Sequence, residues 1–174
     1  MKGLAQLGAV FLAAIAQVTV APLFPIAGAN PQLVLLMLCL VAAFSGPVPA
    51  MVLTPVGAVM LGMLSDRDAG LLLLAYLPVV ALGALLEDAP VPLSHAAKTY
   101  SMTLGAGLVA RSVLAAGAML GGAPAAIGAL VSDVLVPGVF IDMVLLTLCY
   151  VPLRLAGLRG SGFRLQRGRY FASL

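Results

Sequence analysis

The run Leu71-Leu-Leu-Leu-Ala-Tyr76-Leu-Pro-Val-Val-Ala-Leu-Gly-Ala-Leu-Leu86 decides the fold. It holds no charge, and it is bracketed by Ser65-Asp66-Arg67-Asp68 on one side and Glu87-Asp88 on the other. A helix rises about 1.5 Å per residue and crosses a bilayer in about 20 mostly apolar residues, so this run with its edges reads as a membrane span. The rest of the 174-residue chain has the same character, 63% hydrophobic and 9% charged, with a mean hydropathy of +1.17. Lipid is the main solvent for such a sequence, and a water-soluble core is excluded.

Working outward from that span, the N-terminal side divides into a first helix over residues 4–24, a second over 32–44 and a third ending at Leu64. Met1-Lys2 followed by apolar sequence resembles a signal peptide, but Ala9 to Phe24 stays apolar too long for one, which predicts a retained helix. Pro22, Pro25, Gly28, Asn30 and Pro31 punctuate the first turn. Ser45-Gly46-Pro47-Val48-Pro49 breaks the second helix from the third, because two prolines lack amide donors. The resulting hairpin has a short second arm, which leaves a re-entrant pair as the alternative to the full hairpin we favour.

On the C-terminal side, residues 89–100 contain Pro90, Pro92, His95 and Lys98 and read as a water-facing loop that turns helical at its end. A fifth span covers 101–120. Residues 125–135, with Ser132 and Asp133, read as a partial or interfacial helix, and Pro137-Gly138 separates it from a last span over 139–155. The expectation is an all-α polytopic membrane helix bundle of about six spans, with one membrane domain over 1–158 and a basic tail over 159–174. Lys2 and the tail arginines place both termini in the cytoplasm by the positive-inside tendency. The Asp66 loop then faces outward.

A charge at the centre of a span costs about 2.5 to 3.5 kcal/mol unless paired or wetted, which singles out Arg111 and Asp142. We read them as an interhelical pair ahead of a proton or ion site, because a relay needs a chain of ionisable groups and these stand apart in sequence. Gly117 and Gly121, four residues apart, are candidates for close helix packing. Arg159, Arg164, Arg167 and Arg169 follow directly on the last span, where anionic lipid attracts them; nucleic acid is not an expected partner. Cys39 and Cys149 lie singly in apolar runs, and His95 has no neighbouring histidine or cysteine in sequence, so no metal or cofactor is expected and no catalytic residue is assigned.

Several landmarks fall in a recognisable order. Gln17 lies in the first helix and Gly28-Ala-Asn-Pro31 in the turn after it; Gly62-Met-Leu-Ser-Asp66 precedes Gly70 and the span bearing Tyr76; Val136-Pro137-Gly138 leads to Tyr150 and Arg154. In this order the chain resembles the bacterial rod shape-determining protein MreD family across nearly its whole length. The resemblance implies a non-enzymatic scaffold of the inner membrane that binds the single-span periplasmic protein MreC and links it to the peptidoglycan synthases of the elongation machinery. It also marks Gly62, Asp66 and Gly70 as a helix cap or partner contact at the outer end, where a carboxylate accepts from the first amides of the next helix. The alternative is the substrate-binding membrane subunit of a vitamin-type uptake transporter, which predicts polar residues gathered around one cavity near the outer face.

Overall fold

Apolar runs between glycine- and proline-bearing turns become helices throughout a computed structural model that describes residues 2–23, 29–65, 67–88, 94–122 and 135–155. Among these residues six helices follow in order: α1 (Lys2–Thr19), extended by a 3-10 turn at Ala21–Leu23, α2 (Leu33–Ser45), α3 (Pro47–Ser65), α4 (Ala69–Asp88), α5 (His95–Leu120) and α6 (Val136–Leu155). The described residues are all-helical, and α1 with its 3-10 turn, α3, α4, α5 and α6 are each long and apolar enough to cross a membrane. The protein is a helical membrane bundle. The partial helix expected over 125–135 falls mostly, and the basic tail wholly, outside the described residues.

Three boundaries differ from the expectation. The break after α2 is Gly46 alone, at φ 103°, a left-handed conformation that suits glycine. Pro47 and Pro49 do not extend the break, because they occupy the first turn of α3, where amides have no intrahelical acceptor. Likewise Pro137 and Gly138 do not stand ahead of α6; they sit in its first turn. His95 is not in a water-facing loop either. It is the first residue of α5, after the N-cap Ser94, whose Oγ accepts from the Ala97 amide at 3.1 Å.

The short arm of the hairpin is also the first one. α2 has 13 residues against 19 in α3, so it spans about 20 Å where the hydrocarbon is about 30 Å thick. Nine of its residues are buried, on every face, and it packs on α1, α3, α4, α5 and α6. The five longer helices surround it and turn Leu12, Leu74, Leu85, Phe140 and Leu148 outward, as a bundle does when lipid covers its apolar exterior.

Successive helices alternate in direction. Gln17 meets Val34 while Gln6 meets Ser45, so α1 and α2 run antiparallel; Arg111 meets Asp142 while His95 meets Tyr150, so α5 and α6 do too. One end of the bundle thus gathers the starts of α2, α4 and α6, and the other gathers the start of α1, the finish of α2 and the finish of α6. We name them the Gln32 end and the His95 end.

Candidate functional site

Each helix leaves up to four amides at its start and four carbonyls at its finish without intrahelical partners. Inside a membrane each such group costs several kcal/mol if it stays unpaired. Because α2 is short and enclosed, other helices must supply the partners, and polar side chains from α1, α5 and α6 meet it at its two ends.

At the start of α2, Asp142 Oδ1 accepts from the Gln32 amide at 3.0 Å and Gln17 Oε1 accepts from the Val34 amide at 2.8 Å. The Gln32 side chain itself makes no capping bond. The second carboxylate oxygen of Asp142 forms an ion pair with Arg111 Nη2 at 2.7 Å. That nitrogen also donates to the Gly138 carbonyl at 2.9 Å and to the Asn30 carbonyl at 3.3 Å. Arg111 is 5% and Asp142 1% exposed, so the pair is shielded from water and its bonds are strong for that reason. Gly138 makes the geometry possible: a Cβ there would run into the Arg111 guanidinium. One arginine therefore ties α5, α6 and the turn before α2 together.

At the finish of α2, His95 Nε2 lies 2.9 Å from the Ala43 carbonyl and Nδ1 lies 2.9 Å from the Tyr150 hydroxyl. A carbonyl only accepts, so Nε2 carries a proton, and in the neutral ring Nδ1 accepts from Tyr150. Arg154 Nη1 donates to the same tyrosine oxygen at 3.2 Å. Phe44 packs against both rings, with centroids 5.7 Å from His95 and 5.6 Å from Tyr150. Tyr100 meets Tyr150 edge-on and shares a 2.8 Å hydrogen bond with Thr147.

The other residues named from sequence fall as follows. Asp66 lies outside the described residues, and the side chain that caps α4 is Asp68, whose Oδ1 accepts from Gly70 at 2.6 Å and Leu71 at 3.2 Å. Gly62 brings α3 against the start of α4: a Cβ on it would stand 2.9 Å from that of Ala69. Gly117 makes room for the Leu71 side chain, whereas Gly121 is the C-cap of α5 and faces only its own helix. Cys39 is buried in α2 and Cys149 half-buried in α6. Arg159, Arg164, Arg167 and Arg169 are outside the described residues. Among the described residues, no three His, Cys, Asp or Glu side chains cluster as metal ligands.

Hydroxyls along the spans bond within their own helices, as Thr54 does to the Ala50 carbonyl at 2.7 Å, Thr103 to Thr99 at 2.9 Å and Ser112 to Leu108 at 2.8 Å. The cap that Gln17 places on the Val34 amide and the bond of His95 to the Ala43 carbonyl are what sequence reasoning missed. The available signal was the shortness of the second helix, which obliges its ends to find partners.

A half-open cavity of about 940 Å³ lies at the Gln32 end, lined by Gln17, Asn30, Gln32, Arg67, Asp68 and Arg111 with leucines of α3, α4 and α5 between them. Comparison with known proteins returned no matching family model, curated protein or solved structure.

Proposed function

We propose that this protein is a non-enzymatic scaffold of the bacterial inner membrane, acting in the cell-wall elongation machinery as MreD-family proteins do. In this role it binds a single-span periplasmic partner of the MreC type and connects it to peptidoglycan synthases. The observation that best supports the reading is the closure of the intramembrane charges. Arg111 and Asp142 pair with each other and with backbone groups at the start of α2, which makes them a structural tie rather than a step in a proton path. A rigid bundle sheathed in apolar side chains suits a protein whose work is to hold another helix.

The start of α1 and the finish of α6 share one end of the bundle, so Lys2 and the C-terminal arginines assign that end to the cytoplasm. The tight α3–α4 turn, with Gly62 and Asp68, then faces outward, where the partner's periplasmic part begins. Purification from native membranes in mild detergent, followed by mass spectrometry of what copurifies, tests the reading. Recovery of a single-span coiled-coil protein or a wall synthase supports it, and loss of the protein then disturbs cell width. Recovery of paired ATPases with a coupling subunit replaces it with the transport reading. One observation favours that second reading, the polar-lined cavity at the outward end.

A further inference from the structure

Not every polar atom at the Gln32 end has a partner. Gln32 is 7% exposed and its Oε1 makes no hydrogen bond; Arg111 is 5% exposed and its Nε makes none. Buried acceptors and donors left in this state are rare in native proteins and call for a reason. Both residues line the same half-open cavity of about 940 Å³, within the range of roughly 300 to 1,000 Å³ common for small-molecule sites.

We propose that this cavity is a binding site for an uncharged amphiphile whose polar end carries a donor and an acceptor together, as a hydroxyl or a carboxamide does. The polar end meets Gln32 and Arg111, which have unpaired polar atoms to turn toward it, and the apolar remainder lies along Val18, Leu61, Leu64 and Leu114. Charge argues for neutrality. Arg111 is already neutralised by Asp142, and Arg67 and Asp68, both on the lining, offset one another. The Ser65 hydroxyl, also on the lining, donates to the Leu61 carbonyl at 2.6 Å and is not needed by a ligand. The site stands whichever protein partner the bundle holds.

Two sources supply this chemistry, the headgroup of a neutral lipid and a dissolved polar molecule. The full chain, purified from native membranes and reconstituted in phosphatidylcholine nanodiscs with or without dioleoylglycerol, is read by native mass spectrometry alongside Gln32→Leu and Ala115→Phe. The first substitution leaves the Gln32 amide free to bond Asp142. The second sets a bulky ring into the cavity from its α5 wall without replacing a hydrogen-bonding side chain, and thermal unfolding verifies that each variant is folded. Equimolar retention of dioleoylglycerol identifies a lipid site, and retention of a neutral water-soluble compound carried from the native membrane identifies a soluble ligand. Either is expected to fall about tenfold or more in both variants, the equivalent of one lost hydrogen-bonded contact. No retained mass in the wild type, or equal retention in a folded variant, overturns the proposal. Should Gln32→Leu fail to fold, Ala115→Phe decides alone.

Discussion

The two ends of α2 solve the same problem with opposite chemistry. At its start the unpaired groups are amides, which need acceptors, and the helix dipole favours a negative one. Asp142 meets both demands at the Gln32 amide, but a buried carboxylate needs a counter-charge, and Arg111 supplies it. At its finish the unpaired groups are carbonyls, and the imidazole N–H of His95 serves the Ala43 carbonyl. The intramembrane ion pair is therefore a consequence of capping amides with a carboxylate, and it ranks as architecture before it ranks as chemistry.

The largest expected effect comes from breaking the charged end. Arg111→Met leaves Asp142 buried and unpaired, and unfolding in denaturing-detergent titrations should show a loss of about 3–5 kcal/mol. Arg111→Met combined with Asp142→Asn keeps a neutral acceptor for the Gln32 amide and should recover more than half of that loss. Equal losses in the single and double variants would break the comparison, because the arginine would then matter for something other than the carboxylate. Gly138→Ala should cost about 1–3 kcal/mol by driving a methyl into the guanidinium. That cost should nearly vanish in the Arg111→Met, Asp142→Asn background, a coupling that a double-mutant cycle reads directly.

The His95 end, which holds no buried ion pair among the described residues, should give less. His95→Phe keeps the ring packing with Phe44 and Tyr150 and removes both hydrogen bonds, leaving the Ala43 carbonyl without the imidazole. A loss of about 1–3 kcal/mol follows, measured in the same titration. A loss as large as that of Arg111→Met would mean that the two ends are equally demanding and that charge has no special weight.

How far the sequence foretold this arrangement depends on what each feature needed to be seen. The long spans were legible because apolar runs of their length admit few other structures in lipid. Arg111 and Asp142 were legible because a charge inside such a run is conspicuous, and their pairing followed from cost. The ends of α2 were not. Gln17 looks harmless near the finish of the first helix and Gln32 at the start of the second, and His95 follows a proline-rich stretch that imitates a loop; only the packing of five helices around a short sixth makes acceptors and donors necessary there. The break before α3 was misjudged for a related reason, since prolines interrupt a helix in its middle but not in its first turn. The cavity needed tertiary structure altogether, because its lining comes from α1, α3, α4, α5 and the turns between them.

The finest test uses one residue type on one helix. Gln17 and Gln6 both lie on α1, eleven residues apart, and each reaches α2 at a position eleven residues from the other, Val34 and Ser45. Gln17 accepts from a first-turn amide at the part-buried start of the helix, whereas Gln6 donates to a serine hydroxyl at an exposed site. Replacing each in turn by leucine holds the substitution constant and varies only the group left behind. Gln17→Leu strands an amide and should cost about 0.5–2 kcal/mol, the range of a lost N-terminal cap. Gln6→Leu strands only a hydroxyl near the bundle surface and should stay within about 0.5 kcal/mol of the parent. If the two variants unfold at the same detergent fraction, burial of the backbone at the start of α2 is not what gives its polar partners their value. If Gln6→Leu is the more damaging, the demanding end of the helix is its finish.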